Sequence, residues 1–187
     1  MSLPLHNPQR VFGITGWKNS GKTTLVTALV TEFAARGYRV STIKHAHHDF
    51  DIDTPGKDSH RHREAGASEV LVASATRWAL MRELRGEQAP ALDRLLTHLA
   101  PCDLVLIEGF KQDRHPKIEV VRSRDGERPI AGQDPTILAI ATDCPQNFSS
   151  QKTLPLNDIK TIADFIAAAS RLPLKTSRYA DQSNQAV

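Results

Sequence analysis

The chain has 187 residues, 40% hydrophobic and 24% charged, with a formal net charge of +3. That length suits one α/β domain or slightly more and supports a core without a disulfide or metal staple. The small positive balance fits an anionic small ligand and is too weak to argue for nucleic acid. The two cysteines, Cys102 and Cys144, make no CxxC pattern. No stretch approaches the roughly 18 apolar residues of a membrane span, and residues 1–10 hold no apolar run of signal type. A reduced, soluble, cytoplasmic protein is expected.

Residues 10–15 read as a first buried strand, running directly into a glycine-bounded loop. Residues 23–36 follow as a helix, with Leu25, Leu29 and Phe33 beside Val26 and Val30 at helical spacing and Gly37 as its stop. Residues 39–43 form a second strand, completing the βαβ unit of a mostly parallel sheet. Residues 44–66 differ in character: nine charges, five of the eight histidines, and a Pro55-Gly56 break. A polar stretch of that length is more often functional or mobile than a neutral connector. Strand-like runs at 69–73 and 77–81 come next. A helix is predicted over 90–100, with Leu92, Leu95, Leu96 and Leu99 on one face. Strands at 103–107, 117–121 and 136–141 follow. Asn157 or Asp158 caps a last helix through Ile162, Phe165 and Ile166. Residues 1–171 are read as a single nucleotide-binding domain and 172–187 as a polar, aperiodic tail.

The loop between the first strand and helix, Gly16 to Thr23, matches G-x-x-x-x-G-K-[ST] at every fixed position. Gly16 and Gly21 let successive backbone N–H groups turn toward phosphate oxygens. The helix starting near Lys22 adds its positive dipole end. Lys22 supplies a mobile charge for the outer phosphates, and the Thr23 hydroxyl is a Mg²⁺ ligand. The expected fold is therefore a P-loop NTPase-type α/β domain binding a purine nucleotide.

A second acid is expected at the C-terminal end of a neighbouring strand, where ligands of such sheets bind. Glu108 stands at that end of the strand beginning near Asp103, with Gly109 allowing close passage. Asp103 lies at the wrong end, roughly 13 Å back along the strand. Glu108 is assigned as the magnesium- or water-positioning acid. Asp49, Asp51 and Asp53 share one face of an extended segment, and residues 53–56 resemble the D-x-x-G switch of GTPases. One of Asp49 and Asp53 is expected to reach the metal's outer shell. The histidines His45, His47, His48, His60 and His62 fit neither HExxH nor a zinc-finger spacing. They are read as phosphate or subunit contacts, with transition-metal ligation and a solvated loop as alternatives. Asp143 ends a strand and offers a carboxylate to guanine N1–H and the N2 amino group, where adenine presents an acceptor. The N-K-x-D form is missing, and the alternative is a turn-forming Asp before Pro145.

Together, residues 17–24, the block 44–59, Glu64 to Ala67, residues 77–81 and the run 103–111 with its E-G-F-K sequence resemble the molybdopterin-guanine dinucleotide biosynthesis adaptor family, MobB. The resemblance spans about residues 10 to 170. It implies a dimeric GTP-binding protein with weak GTPase activity, whose partners are the guanylyltransferase that attaches GMP to molybdopterin and the molybdenum-insertion machinery. It implies that Asn19, Ser20, Gly21, Lys22, Thr23 and Thr24 hold the phosphates and Mg²⁺, with Asp49, Asp53 and Glu108 as the acids; Gly16, Trp17 and Lys18 complete the expected cofactor-binding loop. It also implies that the strands around Val70 to Met81 form a dimerisation insertion.

Lys22, Glu108 and Asp53 are then the expected catalytic groups. Hydrolysis is expected to be slow, because no arginine finger or water-orienting glutamine is identifiable in the sequence, and a finger is worth 10³–10⁵ in rate. Two other readings are a GTP-dependent metallochaperone of the nickel-insertion type, for which residues 144–146 lack the histidine of a Cys-Pro-His site, and a small-molecule kinase with Arg61 and Arg63 in a lid.

Overall fold

The computed structural model describes residues 10–46, 50–123, 128–145, 148 and 151–175. Packing divides the chain into two compact units, Met1–His45 with Leu95–Val187, and Ala46–Arg94.

The larger unit is built on a six-stranded sheet in the order β2-β5-β1-β6-β7-β8. Its strands are β1 (Val11–Thr15), β2 (Val40–Lys44), β5 (Leu104–Glu108), β6 (Lys117–Val121), β7 (Ile137–Thr142) and β8 (Thr153–Pro155). Every pairing in it is parallel. Parallel strands need crossovers that cover the sheet, and the sequence shows the result: all five residues of β5 are buried. Alternate residues of the strands face α1 (Lys22–Ala35) and α4 (Ile159–Ala169). Phe12, Ile14, Leu106, Ile118 and Val120 meet Leu25, Leu29 and Phe33 of α1 and Ile162 and Ile166 of α4 in one core. Because α1 grows straight out of the loop after β1, this packing fixes the helix N-terminus at the strand ends.

Asp158 caps α4, its carboxylate accepting from Thr161 N at 3.0 Å and from Thr161 Oγ1 at 2.7 Å. Those bonds hold its pKa below the usual carboxylate range. The cap's contribution is thus present at neutral pH and is lost as pH falls through that lowered value.

Two charged side chains are buried on β6. Lys117 donates to Asp113 O and Thr136 Oγ1, both at 2.6 Å, and to Asp134 Oδ2 at 3.2 Å. Glu119 accepts from Ile130 N at 2.9 Å and Ala131 N at 2.8 Å. Burial raises the Glu119 pKa, opposed by those two amides. Both groups tie the connection from β6 to β7 onto the sheet, as buried charges must be paired.

Several segments depart from the sequence reading. The helix expected over 90–100 is a single turn, α3 (Leu92–Leu96); Leu99 N then bonds Leu96 O at 3.2 Å in a tighter i−3 pattern, and Pro101 disfavours helix at the residue before it. Strand β8 was not anticipated, with one buried residue among its three. Residues 172–175, read as the start of a tail, are tied down: Tyr38 Oη donates to Pro173 O at 2.8 Å, and Lys175 Nζ donates to Asp103 Oδ2 at 2.6 Å. Residues 176–187 lie outside the described residues.

The second unit holds α2 (Asp58–Glu64) and an antiparallel hairpin of β3 (Glu69–Ala73) and β4 (Trp78–Arg82). Helix α2 buries none of its residues, so no apolar periodicity announced it. On the hairpin, Leu71 faces Leu80 and Ala73 faces Trp78 across the strands. Leu71, Trp78 and Leu80 are 60%, 65% and 41% exposed. They share one face of the ribbon, since alternate strand residues point the same way.

Candidate functional site

Strand β1 ends at Thr15 and the chain turns through residues 16–21 before α1 begins. Gly16 is buried with φ 140°, Asn19 takes φ 64°, and Gly21 takes φ 100° as the N-cap of α1. Gly16 passes so near β6 that a Cβ there would fall 2.6 Å from Val120 O and 2.9 Å from Ser20 Oγ. With glycine at the cap, no side chain caps α1. The N–H groups of a first helical turn then remain to be satisfied from outside the helix, and with the dipole they favour an anion.

The side chains arrange around this turn. Lys22 Nζ donates to Trp17 O at 2.6 Å, folding back over the loop. Thr23 Oγ1 donates to Glu108 Oε1 at 2.7 Å. Glu108 arrives there because β5 lies beside β1 in register, Ile14 against Glu108, and it is 9% exposed. Lys44, the last residue of β2 and the register partner of Glu108, places its Nζ 3.3 Å from both Glu108 Oε1 and Thr23 Oγ1. Trp17, Lys18 and Asn19 are exposed along the outer edge of the loop, and Ser20 is buried beneath it. Trp17 Nε1 donates to Arg128 O at 2.9 Å, and Lys111 Nζ sits 4.3 Å from the centre of the Trp17 ring. Thr24 follows in the exposed first turn of α1.

Asp143 follows β7. Its Oδ1 accepts from Ser123 N at 2.8 Å, and its Oδ2 lies 3.9 Å from Arg122 Nη1. The Ser123 amide is the chief reason its pKa falls below the usual carboxylate value. Arg122 in turn donates from Nε to Ser20 O at 2.9 Å. The phosphate loop, Thr23, Glu108 and Asp143 thus lie at one edge of one sheet, all in the larger unit.

Asp53 lies in the second unit, with partners of its own there. Its Oδ1 accepts from Ser59 Oγ at 2.8 Å and Thr54 N at 3.0 Å, and Arg63 Nη1 reaches its Oδ2 at 3.4 Å. Asp51 does share a face with it: Arg63 grips Asp51 at 2.8 and 3.2 Å, lowering the Asp51 pKa to about 2. Both acids thus pair with Arg63, which also donates from Nε to Glu83 Oε1 at 2.7 Å. Asp49, His47 and His48 lie outside the described residues. His45 N donates to Glu108 O at 2.9 Å, with its ring 4.8 Å from that of Phe110; His60 lies beside Glu64 on α2. Among the described residues no group of three or more His, Cys, Asp or Glu side chains is arranged to hold a metal by protein ligands alone.

The sequence reading passed over Lys44, Lys111 and Arg122 as site residues. Lys44 and Arg122 stand at or just after the C-terminal ends of β2 and β6, the same positional signal that identified Glu108.

A family model described as molybdopterin guanine dinucleotide synthesis protein B, MobB, matches residues 11–143. The chain belongs to the MobB family. The matched span runs from β1 to Asp143, taking in the whole of the loop, Thr23 and Glu108. The chain is similar to the molybdopterin-guanine dinucleotide biosynthesis adapter protein of Escherichia coli (strain K12), 41% identical over 159 residues that cover 83% of this chain and 90% of that protein. It is similar to the protein of the same description from Haemophilus influenzae, 43% identical over 167 residues, covering 87% and 90%. A crystal structure of molybdopterin-guanine biosynthesis protein B superposes with a TM-score of 0.67 at 27% identity, covering 85% of this chain and 99% of that one. A MobB homologue from Bacillus stearothermophilus gives 0.62 at 26% identity, covering 87% and 99%. The mostly parallel sheet with flanking helices expected from the sequence is therefore the fold of the MobB family.

Proposed function

We propose that this chain is a Mg²⁺-dependent GTP-binding adaptor in the biosynthesis of molybdopterin guanine dinucleotide. The observation that carries the proposal is the meeting of Thr23 and Glu108 beside Lys22 at the mouth of the loop. Thr23 Oγ1 and Glu108 Oε1, 2.7 Å apart, are hard oxygen donors of the kind Mg²⁺ takes and would hold it there. The pair fits two sites of the metal's oxygen shell, directly or through water. Bound there, Mg²⁺ would neutralise charge on the nucleotide's outer phosphates. The chain's own groups do the rest: loop amides and Lys22 hold the phosphates, and Lys44 balances Glu108. Asp143 reads the guanine edge. Hydrolysis is slow because the sequence offers no identifiable arginine finger or water-orienting glutamine, as befits a carrier or switch. The partners proposed are the GMP-attaching guanylyltransferase and the molybdenum-insertion protein, in the cytoplasm.

The test is a thermal-shift series with GTP, GDP and ATP, with and without Mg²⁺. A ligand that binds the native state at 100 times its Kd stabilises by about 2.7 kcal/mol, which at this size is a rise of roughly 5–10 °C. GTP with Mg²⁺ is expected to give the largest rise. Glu108→Gln is expected to remove most of the increment due to Mg²⁺ and keep that due to GTP alone. Equal shifts with and without Mg²⁺ in the unaltered protein would refute the metal role, and equal shifts with ATP the role of Asp143.

The apolar face of the hairpin supports a homodimer. Exposed Leu71, Trp78 and Leu80 on one face suit burial against a second copy. Sedimentation at micromolar concentration is expected to show a dimer, and Leu80→Lys a monomer with unchanged GTP affinity. A monomeric unaltered protein would reject this interface.

A further inference from the structure

Arg122 touches two parts of the nucleotide site at once. Its Nε donates to Ser20 O at 2.9 Å, its Nη1 lies 3.9 Å from Asp143 Oδ2, and a Cβ on Gly21 would fall 3.0 Å from its Nη2. The peptide joining Ser20 to Gly21 is planar and trans, so its carbonyl and its N–H point in opposite directions. A donor that holds the Ser20 oxygen from the β6 side therefore turns the Gly21 N–H to the other side of the loop. Free rotation of that peptide would let the carbonyl, which repels phosphate, take the place of the amide, which attracts it.

We infer that Arg122 is a positioning residue that orients the Gly21 amide toward phosphate and makes that orientation depend on Asp143. The inference rests on the phosphate-loop reading above. The chain of contacts is continuous: Ser123 N fixes one oxygen of Asp143, the other faces Arg122, and Arg122 holds the loop carbonyl. Asp143 thereby acquires a second task besides reading the base. The contact to Asp143 is longer and both side chains are partly exposed, 27% and 31%, so the bond to Ser20 carries more of the effect than the ion pair. The N-K-x-D sequence is missing after β7, and the tie between base end and phosphate end is supplied instead from the neighbouring strand.

The decisive probe is inorganic tripolyphosphate with Mg²⁺, which has phosphates and no base, titrated calorimetrically beside GTP. Arg122→Met keeps the apolar stem and removes every donor. It is expected to weaken tripolyphosphate about tenfold, in line with loss of a charge-assisted hydrogen bond, with the ligand-free melting temperature unchanged. Asp143→Asn is expected to weaken the same baseless probe by about two- to threefold, and to add nothing in the Arg122→Met background. An Asp143 that only reads guanine would leave tripolyphosphate untouched, and that result overturns the link. Tripolyphosphate binding by Arg122→Met within twofold of the unaltered protein overturns the orientation. Should Arg122→Met fail to fold, Arg122→Lys decides: a lysine reaches Ser20 O without the fork toward Asp143, so its tripolyphosphate affinity is expected to stay within about threefold and to ignore Asp143→Asn. A full Asp143→Asn effect in that background overturns the proposal. Failure of the unaltered protein to bind either probe is a different result, which removes the phosphate-loop reading itself.

Discussion

A Lys22→Ala variant is expected to bind GTP about 30- to 100-fold more weakly while its ligand-free melting temperature hardly moves. The ammonium lies over the loop, 2.6 Å from Trp17 O, so it is held near the phosphate position without being part of the core. Its loss removes a charge-assisted contact worth roughly 2–3 kcal/mol to bound phosphate. That is about 1.5–2 decades in Kd. The native packing loses exposed contacts that water replaces, so the ligand-free melting temperature changes little. Isothermal titration of GTP alongside a thermal melt separates the two. Full affinity in the variant would show that the nucleotide does not use this loop.

A Gly16→Ala variant is expected to lose both stability and binding. Two costs combine at that position. The backbone sits at φ 140°, a region an L side chain enters at about 1–3 kcal/mol. The added Cβ would also lie 2.6 Å from Val120 O, a main-chain atom in the adjacent strand that moves only if β6 moves; overpacking of this kind costs about 1–3 kcal/mol more. A total on the order of 2–6 kcal/mol lowers the melting temperature of a protein this size by roughly 5–20 °C. Binding falls with it, because relief requires shifting the loop that carries the amides. Melting and titration both check the prediction, and a variant as stable as the parent would mean that Gly16 is not pressed against β6 as described.

What could be read from the sequence was what is encoded locally. The loop from Gly16 to Thr23 is a contiguous pattern, and the strand before it and helix after it carry their own apolar spacing, so β1, the loop and α1 followed directly. Glu108 was found by one positional argument, the end of a buried strand, and that argument reaches any residue so placed. Applied to β2 and β6 it would have found Lys44 and Arg122. They were passed over because a single lysine or arginine after a strand looks like solvated punctuation until its long-range partners are known. The partners of Asp53 were hidden for another reason: Ser59 and Arg63 lie six and ten residues away, on a helix with no apolar face to announce it. The hairpin was legible from its β-branched and apolar residues, whereas β8, with a single buried position, had almost no pattern to show.

The strand that launches the loop is the hub of the sheet, flanked by β5 on one side and β6 on the other. Its two neighbours arrive from residues 104–121, so the opening eighth of the polypeptide waits for its walls until two thirds of it has been made. Such distant pairings form late and slowly. During synthesis the complete loop motif therefore leaves the ribosome long before there is a pocket, and a nucleotide bound as proposed would reward only chains that have closed the centre of the sheet. Such a ligand would act as a proofreader of folding: it would select the finished protein from truncated and half-assembled ones, all of which carry the same G-x-x-x-x-G-K-T letters.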